Sequence, residues 1–154
     1  MSFRIRGLPA EAFTALFALS DAELAQRRAV RVIAERPQAY PCRISLTDAE
    51  PGQTLILLNY EHHSVNTPFQ SSHAIYVREG ERCYDEVDQV PDMLRRRLLS
   101  VRGFDAAGML VDADVVGGLM LEDGIQRLFA QPAIDYLHLH FAKPGCYAAR
   151  VDRQ

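Results

Sequence analysis

The chain has 154 residues, of which 48% are hydrophobic, and a formal net charge of −3. This composition is typical of a folded domain and excludes compositional disorder, and the small negative charge excludes a broad basic field for nucleic acid or anionic membranes. Three widely spaced cysteines exclude a disulfide framework. No apolar run follows Arg4 and Arg6, so no signal peptide is expected. We therefore expect a single domain over 1–154 in the cytoplasm, with no nucleic-acid or membrane partner, and the oligomeric state stays open.

The N-terminal part of the chain predicts a strand, two helices and another strand. Residues 3–6 alternate as a short strand, and Pro9 suits the first turn of a helix that runs to about residue 17. Ser20 followed three residues later by Glu23 is a capping-box pattern, which predicts a second helix that ends near Arg28. A strand is expected to begin at Val30.

The central part predicts mainly strands. Residues 42–46 and 54–60 are expected to be adjacent strands joined by a turn, and the second is apolar on both faces, as in a central strand. A further strand is expected over 73–77 and a short edge strand over 83–87. Residues 91–97 predict one or two helical turns.

The C-terminal part predicts two hairpins around a helix. The first hairpin joins residues 98–104 to 109–116, and the second joins 136–142 to the strand that begins at Cys146. Between them, Leu121, Ile125, Leu128 and Phe129 follow the spacing of an amphipathic helix. We expect an α+β domain with a largely antiparallel curved sheet or partial barrel and three or four short helices.

The strand over 136–142 carries the most site-like pattern in the chain. Leu137 and Leu139 fall on one face, whereas His138 and His140 fall on the other, about 7 Å apart at two strand rises. Two imidazoles on one strand face can point at one ion. The alternative is a half-solvated face on which both histidines form hydrogen bonds with their neighbours.

Several segments together resemble one known family. They are Pro41-Cys42-Arg43, Leu57 to His62, Ser72 to Ile75, Val101 to Phe104, Leu137 to His140 and Pro144-Gly145-Cys146. They are similar to the bacterial family catalogued as domain of unknown function number 1203, over nearly the whole chain. The resemblance implies a stand-alone bacterial domain and supplies no activity, cofactor or catalytic residue.

Histidines and carboxylates are the candidate chemical groups. We predict His73 or His138 as a general acid or base, with Glu61 or Asp112 as the orienting carboxylate. Two histidines and a carboxylate would also suit zinc or non-haem iron, with His138 and His140 as the candidate pair, although we assign no metal ligand and name no cofactor. A ligand-binding role is predicted for Asn59, Arg102, His140 and Asp112.

Arginines and cysteines on the predicted strands give a further set of candidates. Arg43, Arg102 and Arg150 lie beside apolar residues, so each is expected to have an internal carboxylate partner in preference to a bound anion. Cys42 and Cys146 are interpreted as small buried residues in preference to nucleophiles.

Three functions remain open from the sequence. The first is a binding protein or enzyme for a small, anionic ligand, with a His/Asp/Arg pocket on the sheet. The second is a non-catalytic interaction module that uses the edge at 83–87 or the basic run Arg95–Arg97. The third is a metal-dependent enzyme with a histidine and carboxylate site. No phosphate-loop, dinucleotide-binding or HExxH motif is present.

Overall fold

The computed structural model describes residues 1–154 and consists of eleven strands and three short helices. The strands are β1 (Phe3–Arg6), β2 (Ala29–Ile33), β3 (Pro41–Cys42), β4 (Thr47–Asp48), β5 (Thr54–His63), β6 (Ser71–Val77), β7 (Asp85–Val87), β8 (Leu98–Phe104), β9 (Leu110–Gly117), β10 (Tyr136–Phe141) and β11 (Tyr147–Arg153). The helices are α1 (Asp21–Gln26), α2 (Asp92–Arg95) and α3 (Leu121–Phe129). No helix is long and apolar enough to cross a membrane.

The strands form two sheets. One sheet has six strands in the order β7-β1-β11-β10-β8-β9, and all its pairs are antiparallel. The other has five strands in the order β2-β5-β6-β3-β4, and only β3 and β6 run parallel. The expected α+β class with largely antiparallel strands and three short helices is confirmed. Two separate sheets stand in place of one curved sheet, and no barrel closes.

Most elements lie where the sequence places them. Both C-terminal hairpins form, as β8 with β9 and β10 with β11. The capping box of α1 is confirmed, because the Ser20 side chain accepts from the Glu23 N–H while the Glu23 carboxylate accepts from the Ser20 N–H. Helix α3 buries Leu121, Ile125 and Leu128 as its spacing predicts.

Two local predictions are wrong. Residues 43–46 form a turn in which Leu46 has a positive φ of 53°, so only the two-residue strands β3 and β4 remain there, and β5 pairs with β2 and β6 instead. The predicted helix after Pro9 consists of two short 3₁₀ helices, Ala10–Ala12 and Thr14–Ala18.

The larger core covers one face of the six-stranded sheet. Helix α3 packs on that face, where Leu99, Val101, Leu137, Leu139 and Val151 are fully buried. Strand β10 lies between two neighbours and is buried along its whole length on both faces. Its second face therefore does not meet solvent. It meets the five-stranded sheet, and the polar side chains at that junction form the candidate site.

Candidate functional site

All five histidines of the chain lie in one cluster at the junction of the two sheets. Strand β10 contributes His138 and His140, β5 contributes His62 and His63, and β6 contributes His73. The ring centre of His62 lies 4.8 Å from that of His73, 5.1 Å from that of His140 and 5.6 Å from that of His138. The histidine cluster therefore brings together residues that are up to 78 positions apart in sequence (His62 to His140).

The alternation of β10 aims His138 and His140 at the junction. Their opposite neighbours on β8 are Arg102 and Ser100. Because the leucines of β10 occupy the other face, these polar side chains share one side of the six-stranded sheet. The side chains are almost fully enclosed, with 2% of His138 and 1% of His140 exposed. The half-solvated face considered from the sequence is not observed.

A β-bulge explains how two consecutive histidines of β5 reach the same cluster. Glu61 pairs with Ser72 and His63 pairs with Ser71, so His62 is an extra residue in β5. Regular alternation would send His62 and His63 to opposite faces, whereas a bulge interrupts the alternation and re-aims a side chain. Both rings consequently contact His138.

A second bulge, in β11, aims Tyr147 at the cluster. The register shifts so that His140 pairs with Tyr147 and Ala148 becomes the extra residue. The Tyr147 ring stacks on His62 with centres 4.6 Å apart and an angle of 12° between the planes. Tyr147 thus closes one side of the cluster.

Three of the histidines lie close enough together to form a metal-ligand set after a small movement. One ring nitrogen from each of His62, His138 and His140 lies within 4.8 Å of the other two. The Nδ1 atoms of His62 and His138 are buried and have no hydrogen-bond partner. Buried polar atoms without a partner are rare and energetically unfavourable, so these two nitrogens indicate a missing partner.

The remaining contacts of the cluster orient its rings. The Nδ1 of His140 lies 3.0 Å from the carbonyl oxygen of Gly145, and because a carbonyl only accepts, this Nδ1 carries the proton and Nε2 keeps its lone pair. Gly145 has a φ of +80°, a conformation that glycine adopts readily. The Nε2 of His62 and the Nδ1 of His73 are 2.6 Å apart and share one hydrogen bond.

His63 has both of its ring nitrogens satisfied. Its Nδ1 donates to the carbonyl of Phe69 at 2.8 Å, and its Nε2 lies 2.6 Å from the hydroxyl of Tyr136 and accepts from it. Its ring also packs on Phe104, with centres 4.3 Å apart. His63 is therefore a positioning residue for its neighbours and has no nitrogen free for a ligand.

Burial keeps the three ligand-set imidazoles neutral. Loss of water lowers the pKa of His138 to about 2, that of His62 to about 3 and that of His140 to about 4, and neighbouring histidines lower each further. The hydrogen bond to Gly145 partly offsets this effect at His140. At neutral pH all three rings are in the form that binds a metal ion.

A cavity of about 320 Å³ opens beside the histidine cluster. Its lining residues are His62, His63, Phe69, Ser71, Ser100, Arg102, Phe104, Leu110, Ala113 and His140. Arg102 donates only to the Ser100 hydroxyl, at 3.4 Å, and no carboxylate lies within ion-pair distance of it. Burial lowers the pKa of the Arg102 guanidinium. The cavity therefore contains one positive charge without an internal partner.

The structure brings together only part of the residue set that the sequence suggests. His73, His138, His140 and Arg102 lie in or beside the cluster. Asn59 pairs with Ala74 while Tyr60 pairs with His73, so Asn59 faces away from His73 and is exposed.

Neither of the two predicted carboxylates reaches the cluster. Glu61 is exposed and its carboxylate accepts from the Gln70 amide. Asp112 pairs with Gly103, so it projects from the sheet face opposite to Arg102, and it accepts from Gln131 at 2.6 Å. The site is consequently built from histidine and arginine without a carboxylate.

The arginines predicted to have internal carboxylate partners differ from one another. Arg150 does have one, Asp152 at 2.8 Å. Arg43 and Arg102 have none. The prediction is therefore wrong for these two residues, and both line cavities.

Sequence reasoning assigned no role to His62, His63 or Tyr147. Strand periodicity cannot reveal a bulge, and without the bulges these three side chains cannot be placed. The available signal was the histidine count itself, since four of only five histidines occur in two closely spaced pairs.

The surfaces considered for a protein partner are less distinctive. Strand β7 is fully exposed at one end of the six-stranded sheet. In the basic run, Arg95 pairs with Glu122 at 2.5 Å and Arg97 pairs with Asp48 at 2.6 Å. The interaction module stays a prediction.

A family model described as "Protein of unknown function (DUF1203)" matches residues 39–153. The matched range contains all five histidines together with Arg43 and Arg102. No curated protein and no solved structure matches the chain. The resemblance noted in the sequence is confirmed, and the chain belongs to the DUF1203 family.

Proposed function

We propose that this domain binds a divalent transition-metal ion through His62, His138 and His140, and that the ion and Arg102 together hold a small anionic ligand. The observation that carries the proposal is the convergence of three ring nitrogens within 4.8 Å in an enclosed site. Two of the three rings also have a buried Nδ1 without a partner.

The donor set defines the class of ion. Three neutral imidazoles suit zinc, iron, copper or nickel, whereas magnesium and calcium prefer oxygen ligands that this cluster lacks. Nitrogens bound to tetrahedral zinc at the usual bond length lie about 3.3 Å apart. The three rings would therefore move together by roughly 1 Å on binding.

The surroundings of the three histidines fit an ion that is open to a ligand. A site with three histidines leaves a fourth position for water or substrate. His62 and His140 line the cavity that also contains Arg102. A divalent ion and a guanidinium with no carboxylate between them favour an anionic ligand. When bound, the ion would polarise that ligand or a water molecule.

His73 is the candidate for proton transfer in this arrangement. It is partly exposed and it hydrogen-bonds His62 at 2.6 Å. It can therefore orient the ring of a ligand histidine in the way that second-shell groups do. A ring that is both accessible and close to the ion can also carry a proton to or from a bound ligand.

Metal content of the purified protein tests the proposal. The wild type should bind about one equivalent of zinc or cobalt(II), and cobalt should give the visible absorption of a nitrogen-ligated site. His138→Ala should lose the ion. Asp112→Ala is the matched control, because Asp112 lies on the opposite face of the same sheet and should leave binding unchanged.

Two results would overturn the metal proposal. One is a folded wild type that takes up no transition metal and whose melting temperature is the same with zinc and with chelator. The other is equal metal binding by wild type and by a folded His62→Ala variant. Circular dichroism of each variant shows whether it has folded.

A further inference from the structure

A second and larger cavity lies on the other side of His73. Its volume is about 930 Å³, within the range of small-molecule sites. Five cationic side chains line it and no carboxylate does. The cations are Arg36, Arg43, Arg96, Arg97 and Lys143. We call this region the arginine cavity.

Arg43 is the unusual member of the set, because it is buried without a carboxylate partner. Only 1% of the residue is exposed. Its guanidinium donates to the carbonyls of Tyr147 at 2.7 Å and Pro41 at 2.6 Å, and to the sulfur of Cys146 at 3.0 Å. The guanidinium carbon also lies 4.8 Å from the ring centre of Phe141. None of these partners is a carboxylate.

The unpaired charge is energetically unfavourable as it stands. A guanidinium has five N–H donors, so two remain after these three hydrogen bonds. A buried charge without an opposite charge is strongly unfavourable. Burial accordingly lowers the pKa of Arg43. An anion placed beside Arg43 would supply both the missing charge and the missing acceptors.

The other four cations increase the positive charge of the cavity. Asp48 is the one carboxylate within ion-pair distance of these cations, and it lies 2.6 Å from Arg97 and 4.0 Å from Arg96. It can offset only one of the five positive charges. Arg36 and Lys143 are exposed and have no ion-pair partner.

Part of the remaining wall is apolar. Leu57, Tyr76 and Phe141 line the cavity beside the cations, and Tyr40 packs on Tyr76 with ring centres 5.3 Å apart. A cavity with a positive part and an apolar part matches a molecule with an anionic group on an organic body.

We propose that the arginine cavity binds a small organic anion, whose phosphate or carboxylate group is recognised by Arg43 with Arg96 and Lys143. The site does not depend on a metal ion. It is distinct from the Arg102 cavity, and the two cavities have no lining residue in common.

Calorimetric titration of the full chain, stripped of metal by chelator, tests this site. Pyrophosphate and citrate are the two probes, and they distinguish phosphate from carboxylate recognition. The wild type should bind at least one of them. Arg43→Lys should weaken that binding by about tenfold or more, because lysine cannot reproduce the planar donor geometry. Arg127→Ala is the control, because Arg127 pairs with Asp114 outside both cavities.

Two additional variants keep the test decisive. If Arg43→Lys does not fold, the exposed pair Arg96→Ala with Lys143→Ala should still weaken binding. The His138→Ala variant should lose the metal ion and should still bind the anionic probe. Binding of neither probe by the wild type, or equal binding by the Arg96/Lys143 variant and the Arg127 control, overturns the proposal. Loss of binding in a folded His138→Ala variant would assign the anion to the histidine site instead.

Discussion

The histidine cluster and the arginine cavity meet at His73 and differ in what each lacks. The cluster contains nitrogen atoms that can bind a cation, and two of its Nδ1 atoms are buried without a hydrogen-bond partner in the protein. The cavity contains a buried guanidinium without a carboxylate partner. One region therefore offers electron-pair donors, and the other offers positive charge.

This difference separates two roles for buried polar side chains. A buried polar group that serves only the fold is normally paired within the chain. The Nδ1 atoms of His62 and His138 are buried without a hydrogen-bond partner, and Arg43 is buried without a carboxylate partner. These groups are the basis of the two proposals, a metal cation at the cluster and an anion at the cavity.

Removing a metal ligand should produce the largest effect and should affect only the histidine cluster. We expect His140→Ala to weaken zinc binding by more than the 10- to 100-fold that is typical of an outer-shell change. The affinity of this variant for pyrophosphate in the metal-free state should change much less, because His140 does not line the arginine cavity. Competition with a fluorescent zinc chelator, followed by calorimetry, measures both affinities.

The converse outcome would end the distinction between the two regions. If His140→Ala impaired both ligands equally while the variant melted at the wild-type temperature, the cluster and the cavity would constitute a single site.

Acid should destabilise the metal-free protein through the histidine cluster. The folded pKa values of His62, His138 and His140, about 3, 2 and 4, lie below the unfolded value of 6.5. The unfolded chain therefore binds more protons below pH 6.5, so the stability that is present above pH 6.5 is lost as the pH falls towards 4. The buried rings of His138 and His140 each add a slope of up to about 1.4 kcal/mol per pH unit, and the partly exposed His62 adds less.

Charges that face the cluster act in the same direction. Arg102 and Arg150 pair with His138 across β8 and β11, and both disfavour a protonated ring. Urea unfolding at pH 7.0, 6.0 and 5.0 measures the slope, and His138→Leu should reduce it. A stability that is equal at pH 7.0 and 5.0 would contradict neutral burial of these rings.

Sequence periodicity predicts the fold better than the site. Leu137 and Leu139 alternate because one face of β10 meets the core, and this pattern repeats along β8. The capping residues of α1 and the apolar positions of α3 are equally local signals. The turn at 43–46 escapes such reasoning, because its apolar residues are buried without belonging to a strand.

The site depends on contacts that no local pattern contains. His138 and His140 are visible as a pair, but their partner His62 reaches them only through a bulge in another sheet. Asp112 carries a carboxylate that could bind a ligand, but it lies on the sheet face opposite to Arg102. The sequence does not reveal this, because the register of β9 on β8 cannot be read from either strand alone. Arg43 is a similar case, because only a full set of its neighbours reveals that no carboxylate pairs with it.

A smaller effect should follow from loss of the Tyr136 hydroxyl. Tyr136→Phe leaves the Nε2 of His63 without its donor, and an unsatisfied buried group costs about 1–3 kcal/mol. Zinc affinity should fall by less than tenfold, because His63 positions the ligands and does not bind the ion. Thermal unfolding and the chelator competition separate the two quantities. A loss of zinc binding as large as that of His140→Ala would make His63 a ligand and revise the three-histidine set.

The smallest effect should come from added salt, which should weaken pyrophosphate binding in the arginine cavity more than zinc binding in the histidine cluster. Pyrophosphate binding in the arginine cavity joins opposite charges at a partly exposed site, since Arg36, Arg96 and Lys143 are exposed. Raising ionic strength from about 0.05 to 0.5 M shortens the screening length to below about 5 Å and should weaken that binding several-fold. Zinc binding joins an ion to neutral imidazoles that are enclosed by protein, so its affinity should change less.

Sodium nitrate is the suitable salt, because chloride itself binds zinc. Equal salt sensitivity of the two ligands would show that zinc, too, binds through charged groups, and would move the metal site away from the three histidines.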